Sequence, residues 1–429
     1  MIVANNNSLL TKNTSYKVVL PFYGYAALSF LAATLLLFTS SSAFTQHYFH
    51  PQTLAITHLM ALGWGTMIIL GASHQLVPVL IEGKLFSNVL AHVSFSLAAI
   101  GIPLLVYSFY VFNIGELAQC GAILINAAIV SYLINLAISI AKSKNENVHA
   151  VFVFTAALWL LLTTLVGLLL TYNFTLTILP KDSLYYLSLH AHMGIIGWFL
   201  LLVMGVGSRL IPLFLISKYN NRKLLWWIYS LINGGLLSFI FIFLYSNQTF
   251  YFFFPVIAIT TALILFGHYC LQAYRQRIRK QVDDQMKISL LSVLMIAVPV
   301  IALIGIVALL VVSGQNIKLV LLYGFSVFFG WITAIIFGMT FKTLPFIVWN
   351  KVYHHKSGLG KTPNPKDLFS NKLFIGMGIA YLTGFILFAA GILISNTLIL
   401  KSGTIFLLFT AALYNLNVFK ILLHKPQTA

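Results

Sequence analysis

Runs of about twenty apolar residues, the length that crosses a bilayer core as a helix, recur twelve times along this 429-residue chain. The segments are Val18 to Phe44, Gln52 to Ile81, Leu85 to Val111, Leu117 to Ala141, Val148 to Tyr172, Leu184 to Ile216, Leu224 to Tyr245, Phe250 to Ala273, Ile288 to Val312, Ile317 to Val348, Leu373 to Ile394 and Thr397 to Leu423. An all-α integral membrane fold follows, because a backbone in hydrocarbon must satisfy its own hydrogen bonds. Composition agrees: 60% of residues are apolar, 7% are charged and the mean hydropathy is +0.95, whereas soluble domains carry roughly a quarter charged residues. Met1 to Lys17 is polar and Asn-rich, and the first apolar run is long enough to stay in the membrane, so no cleaved leader is expected. Cys120 and Cys270 stand far apart in apolar stretches, which excludes a disulfide framework and a thiolate metal site.

The chain has 25 Lys+Arg against 7 Asp+Glu, a formal charge of +18. These cations alternate between the gaps. One side carries 22 of the 25, including Lys12, Lys84, Lys142, Lys144, Arg209, Arg275, Arg279, Lys280, Lys342, Lys356, Lys361 and Lys420; the other carries Lys181, Lys318 and Lys401. Basic loops stay cytoplasmic, so the expectation is a multi-pass protein of the bacterial inner (plasma) membrane with both termini cytoplasmic. Anionic membrane lipid is then the partner that the basic excess calls for, and no nucleic acid is implied.

A threefold repeat constrains the architecture further. Thr57-His58-Leu59-Met60-Ala61-Leu62-Gly63-Trp64 in segment 2 aligns with Ala191-His192-Met193-Gly194-Ile195-Ile196-Gly197-Trp198 in segment 6, at an offset of 134. The register persists through Gly71 and Gly205 to Leu76-Val77-Pro78 and Leu210-Ile211-Pro212. Segment 10 repeats it at an offset of 133, with Gly330-Trp331, Gly338 and Thr343-Leu344-Pro345. Gly and Pro are frequent in membrane helices, but a Gly-Trp pair, a second Gly and a final Pro keep register three times. The expected fold is therefore one membrane domain, 1–429, of twelve transmembrane helices in three pseudo-symmetric four-helix arcs, with repeat units 1–147, 148–284 and 285–429. The prolines are expected to mark cytoplasmic helix ends. Gln75, Arg209 and Lys342, one column of the repeat, are expected to snorkel to phosphates, with a quinone or lipid pocket as the alternative.

Ionisable groups inside the bilayer are expensive and are functional candidates by default. All seven carboxylates, Glu82, Glu116, Glu146, Asp182, Asp283, Asp284 and Asp367, fall in loops or at helix ends, so no acidic proton relay is written. Histidine does enter the spans: His58 in segment 2, and His190 and His192 in segment 6. Each lies about 9 to 12 Å along its helix from the outer end. His190 and His192 are about 200° apart and cannot share one planar target. His192 is the repeat equivalent of His58, and an iron porphyrin between those two imidazoles is the arrangement that the pairing suggests. A hydrogen bond to a neighbouring helix is the alternative for each. In the third unit Phe325 stands where His58 and His192 stand, and Tyr323 where His190 stands.

His47 and His50 precede segment 2 at i,i+3 spacing and are candidates for a copper or zinc ion, against interfacial anchoring or contact with haem propionates. His74, His92, His149, His268 and His424 are expected to make polar helix-end contacts, and His354-His355 to be a solvated loop pair.

His190-Ala191-His192-Met193 followed by Gly197, and His58 with Gly71-Ala72 and Leu76-Val77-Pro78, resemble the haem-copper oxidase subunit I superfamily. That family includes cytochrome c and quinol oxidase polypeptide I and the nitric oxide reductase large subunit. The resemblance covers the whole bundle in plan and segments 2 and 6 in motif. It implies twelve helices in three arcs, haems near the outer face, His58 and His192 as axial ligands of a low-spin haem b, and His190 as the ligand of a second haem. It also implies copper as a further metal, and a periplasmic electron donor such as cytochrome c or a cupredoxin, or quinol. A second similarity is to NnrS-type membrane proteins of the nitric oxide response, which share the His-rich helix starts and a Gly-Thr-Met like Gly65-Thr66-Met67. The chain departs from the oxidase pattern in two ways. Its double-histidine helix is the sixth rather than the tenth, and the three further active-site histidines, one in a His-Pro-x-x-Tyr context and two adjacent, are missing from every span.

The functional expectation is a haem-binding membrane protein that transfers electrons, or reacts with nitric oxide or dioxygen, near the outer face. It would be an oxidoreductase without the complete copper or iron ligand set. The missing third metal site argues against full dioxygen reduction, and the absent carboxylates argue against proton pumping. The alternatives are an NnrS-like protein, or a cofactor-free membrane carrier or copper assembly factor. A clustered run of Met or Cys would mark the last of these, and the 9 Met here are scattered.

Overall fold

The computed structural model describes residues 14–81, 83–143, 147–278, 283–354 and 362–426. Lys12, Lys144, Arg279, Lys280, Lys356, Lys361, Glu82, Glu146 and His355, weighed above, lie outside the described residues. The chain is 85% helical, with no strand among the described residues. Among the described residues, twelve helices are long and apolar enough to cross a membrane. They are α1 (Tyr16–Thr39), α2 (Pro51–Leu80), α3 (Asn88–Tyr110), α4 (Glu116–Ala141), α5 (Val148–Leu176) and α6 (Leu187–Leu215), then α7 (Arg222–Tyr245), α8 (Thr249–Arg275), α9 (Asp284–Val312), α10 (Ile317–Tyr353), α11 (Asn371–Ile394) and α12 (Thr397–Leu422).

Capping residues set many of the starts. The side chains of Asn147, Asn221, Asp283, Asn316, Ser370 and Asn396 accept first-turn N–H groups of α5, α7, α9, α10, α11 and α12, the role for which short polar residues are selected at that position. The interior is less regular. Among the described residues three stretches are π-helical, Leu59–Thr66 in α2, Met193–Leu200 in α6 and Ser326–Ile332 in α10. Their first residues are spaced by the same offsets of 134 and 133 as the sequence repeat, and each stretch contains one of the Gly-Trp pairs. A π turn spaces its hydrogen bonds i→i+5 and is rare outside functional positions.

Two compact units make up the chain, one comprising Met1–Val19, Leu70–Ser108 and Asn113–Gln281, the other Leu20–Ile69, Phe109–Phe112 and Val282–Ala429. In the first unit, small residues bring helices together. A Cβ on Gly101 would lie 2.8 Å from the Gly121 carbonyl oxygen, so α3 and α4 touch backbone to backbone, the contact that lipid-embedded helices use in place of a hydrophobic drive. Gly197 of α6 sits on Trp159 of α5, where a Cβ would lie 2.6 Å from the indole Cγ. Buried amides then lock α4 to α5: Asn126 Nδ2 donates to the Thr164 carbonyl at 3.1 Å, and Thr164 Oγ1 donates back to Asn126 Oδ1 at 3.0 Å.

The core of the second unit is aromatic. Trp64 is fully enclosed; it stacks on Phe30 at 4.7 Å and meets the edge of Tyr414 at 5.1 Å. Its Nε1–H donates to Thr333 Oγ1 at 3.1 Å, and that hydroxyl donates to the Phe328 carbonyl five residues back at 2.7 Å. Tyr381 Oη donates to the Gly330 carbonyl at 2.6 Å. Side-chain hydroxyls thus donate to two carbonyls within the π stretch of α10.

The structure corrects two sequence expectations. Pro345 does not mark a helix end: α10 passes it and closes at Tyr353. Trp349 Nε1, which donates to the Pro363 carbonyl at 2.6 Å, and Tyr353 Oη, 2.9 Å from His424 Nε2, hold the extra turns. Lys342 does not reach outward either, because Asp283 at the start of α9 pairs with it.

Candidate functional site

His58 is the last residue of α2 before the π stretch begins. Its Nδ1 lies 2.8 Å from the Leu54 carbonyl oxygen, four residues back. A carbonyl only accepts, so Nδ1 carries the proton and the lone pair of the neutral ring belongs to Nε2. Phe109, near the end of α3, covers the ring at 4.5 Å between centroids.

His192 repeats every part of this setting in the other unit. It too is the last residue before a π stretch, its Nδ1 donates to the Ser188 carbonyl four residues back at 2.8 Å, and Phe239 of α7 lies 4.9 Å from its ring. In both cases the covering phenyl comes from the helix that follows in the chain. The third copy keeps the scheme without the imidazole. Phe325 precedes the π stretch of α10, stacks against Phe329 and against Phe385 of α11 at 5.2 and 5.5 Å, and lies tilted to Phe388 of α11 at 4.5 Å. Tyr323 beside it is buried.

His190 faces elsewhere. Its Nδ1 donates to the Thr163 carbonyl of α5 at 3.0 Å, and its ring lies over Gly167, where an added Cβ would be 2.9 Å from Cε1. His190 therefore meets α5 while His192 meets α7, as an angular separation of about 200° requires.

At the start of α2, His47 Nδ1 accepts the Phe49 N–H at 3.1 Å and its ring lies 4.1 Å from that of Tyr48. His50 occupies the cap position, with its N–H on the His47 carbonyl at 2.9 Å. Among the described residues, no group of three or more His, Cys, Asp or Glu comes together to hold a metal ion. His74 and His149 are buried; His74 bonds within its own helix, Nδ1 to the Leu70 carbonyl at 2.6 Å, and His149 links α5 to α6 through Nδ1 to Ser208 Oγ at 2.8 Å. His92 and His268 are exposed.

No family model matches the chain, and no curated protein does. Neither comparison identifies the haem-copper oxidase superfamily or the NnrS-type proteins.

The donor chemistry itself discriminates between metal groups. A bare zinc or copper ion needs three or four protein ligands at one point. An iron porphyrin brings four equatorial nitrogens and asks the protein only for axial donors. Single imidazoles, each oriented by a carbonyl on the far nitrogen in the manner of metal-ligating histidines and covered by a phenyl ring, suit the second requirement. Phe109 and Phe239 escaped the sequence reading because they are 130 residues apart, one helical turn out of the 134-residue register.

Proposed function

We propose that this chain is a haem-binding membrane protein in which His58 and His192 would each offer an imidazole nitrogen to haem b iron. The observation that carries the reading is the repeated setting of the two imidazoles: a proton fixed on Nδ1 by the i−4 carbonyl, a π stretch at the next residue and a phenyl cover from the following helix. Bound haem would supply one-electron redox chemistry or a site for nitric oxide or dioxygen. The Leu54 and Ser188 carbonyls would hold the rings in the ligating tautomer and strengthen the Nε2 donors, while Phe109 and Phe239 would restrict water around them. His190 is the candidate ligand for a second haem and would keep its bond to Thr163.

The resemblance to the oxidase superfamily supports an electron-transfer or gas-reacting role at the periplasmic side of a bacterial inner membrane, with cytochrome c, a cupredoxin or quinol as donor and both termini cytoplasmic. A copper carrier would draw on a cluster of donors, and the described residues hold none of three or more.

Haem content and the dithionite-reduced spectrum of purified wild type, His58→Ala and His192→Ala test the assignment. The expected result is a haem b band in wild type and loss of the low-spin signal in both variants. A wild type without that band, or unaltered haem in either variant, overturns it.

A further inference from the structure

The first turn of α2 contains polar atoms that no hydrogen bond of the fold uses. His50 Nδ1, Gln52 Oε1 and Thr53 Oγ1 are all enclosed by protein without a hydrogen-bond partner, and Thr53 is only 5% exposed. Buried polar groups are nearly always satisfied, and an enclosed exception marks strain, chemistry or a bound polar species. Here three such atoms fall within four consecutive residues. The same turn is a helix N-terminus; Pro51 at its first position has no N–H, and the N–H groups of Gln52 and Thr53 have no partner within the helix. His50 stands at the cap with no side-chain bond to them, whereas Asn316 and Asn396 cap α10 and α12 of the same unit.

Charge indicates what such a turn attracts. The described carboxylates of this unit, Asp283, Asp284 and Asp367, lie before or at the starts of α9 and α11, the opposite end of the unit from the start of α2. At the α2 end stand Lys318, near the start of α10, and Lys401, near the start of α12. Positive side chains and a helix N-terminus together favour an anion. Each orphan atom can also become a donor toward one: imidazole Nδ1 in its protonated tautomer, the threonine hydroxyl, and the Gln52 amide turned to present Nε2.

We propose that the first turn of α2 is an oxyanion-binding site, at which His50, Gln52 and Thr53 receive a carboxylate or phosphate group. The site does not depend on haem. It gives the outer loop a ligand class, small organic acid, free phosphate or lipid headgroup, that the bare ion considered for His47 and His50 does not.

The experiment is thermal unfolding of the purified full-length protein in detergent with sodium phosphate, sodium acetate or sodium chloride at equal ionic strength. A parallel set in phosphatidylglycerol and phosphatidylcholine nanodiscs separates a headgroup from a soluble anion. Wild type is expected to gain roughly 2 °C or more in phosphate or acetate over chloride, or in phosphatidylglycerol over phosphatidylcholine if a lipid is the source. Thr53→Val and His50→Leu are expected to lose that gain. In chloride, Thr53→Val should unfold no earlier than wild type, because it removes an unpaired hydroxyl rather than a bond. The proposal fails if no anion or lipid shifts wild type, or if the shift survives in both variants. It also fails if Thr53→Val unfolds earlier in chloride, which would show that bridging water already satisfies the hydroxyl.

Discussion

His190 and Gly167 depend on each other: the missing side chain on α5 makes room for the ring on α6. An alanine at 167 would bring its Cβ to 2.9 Å from Cε1, and the ring cannot swing aside without releasing the Thr163 carbonyl. Gly167→Ala is therefore expected to destabilise by about 1–3 kcal/mol. Most of that loss should vanish in the Gly167→Ala, His190→Ala double variant, since residues in contact couple. Unfolding midpoints of the four proteins decide it, and strictly additive effects would reject the contact. Thr333→Val probes a different kind of dependence. It strips the acceptor from Trp64 Nε1 and the donor from the Phe328 carbonyl. About 1–3 kcal/mol is expected for each group left buried and unpaired, so a valine variant as stable as wild type would contradict this network. His58 and His192 were visible in the sequence because a polar residue stands out in an apolar run. Thr53 and Gln52 were not, since their significance lies in bonds they fail to make.

Among the helices, α9 offers the clearest test. Asp283 accepts the Met286 N–H as its cap and also pairs with Lys342, whose side chain is 19% exposed against 27% for Asp283. Asparagine caps as well as aspartate, so Asp283→Asn removes the ion pair alone and is expected to cost about 1–2 kcal/mol, between the values for exposed and buried pairs. Asp283→Ala should cost about 1 kcal/mol more, the contribution of the cap. Equal losses in thermal or denaturant unfolding would show that the cap contributes nothing. The helix ends read from sequence went astray where tertiary contacts outlast hydropathy. The last turn of α10 carries Trp349, Asn350 and Lys351, which look like a loop, yet the bonds to Pro363 and His424 keep it wound. The π stretches were invisible for another reason. Slipping a hydrogen bond by one residue changes no residue type, and the Gly-Trp column marked the place without stating the geometry.

For the whole molecule, twelve crossings were legible because composition alone forbids water on most surfaces, and length fixes how often the chain can cross. Orientation rests on the distribution of Lys and Arg. In a Cys120→Ser, Cys270→Ser background, a cysteine replacing Lys181 is expected to react with a membrane-impermeant maleimide in intact cells, and one replacing Lys84 only after permeabilisation. The reverse pattern would invert the topology and move His58 and His192 to the opposite face.

The slipped frame that recurs in α2, α6 and α10 at offsets of 134 and 133 also bears on descent. A single residue inserted before any duplication would account for all three stretches, whereas separate insertions would have had to strike the same step each time. Phe325 keeps the same backbone irregularity as the other two positions and sets a hydrocarbon plug where they carry ring nitrogens.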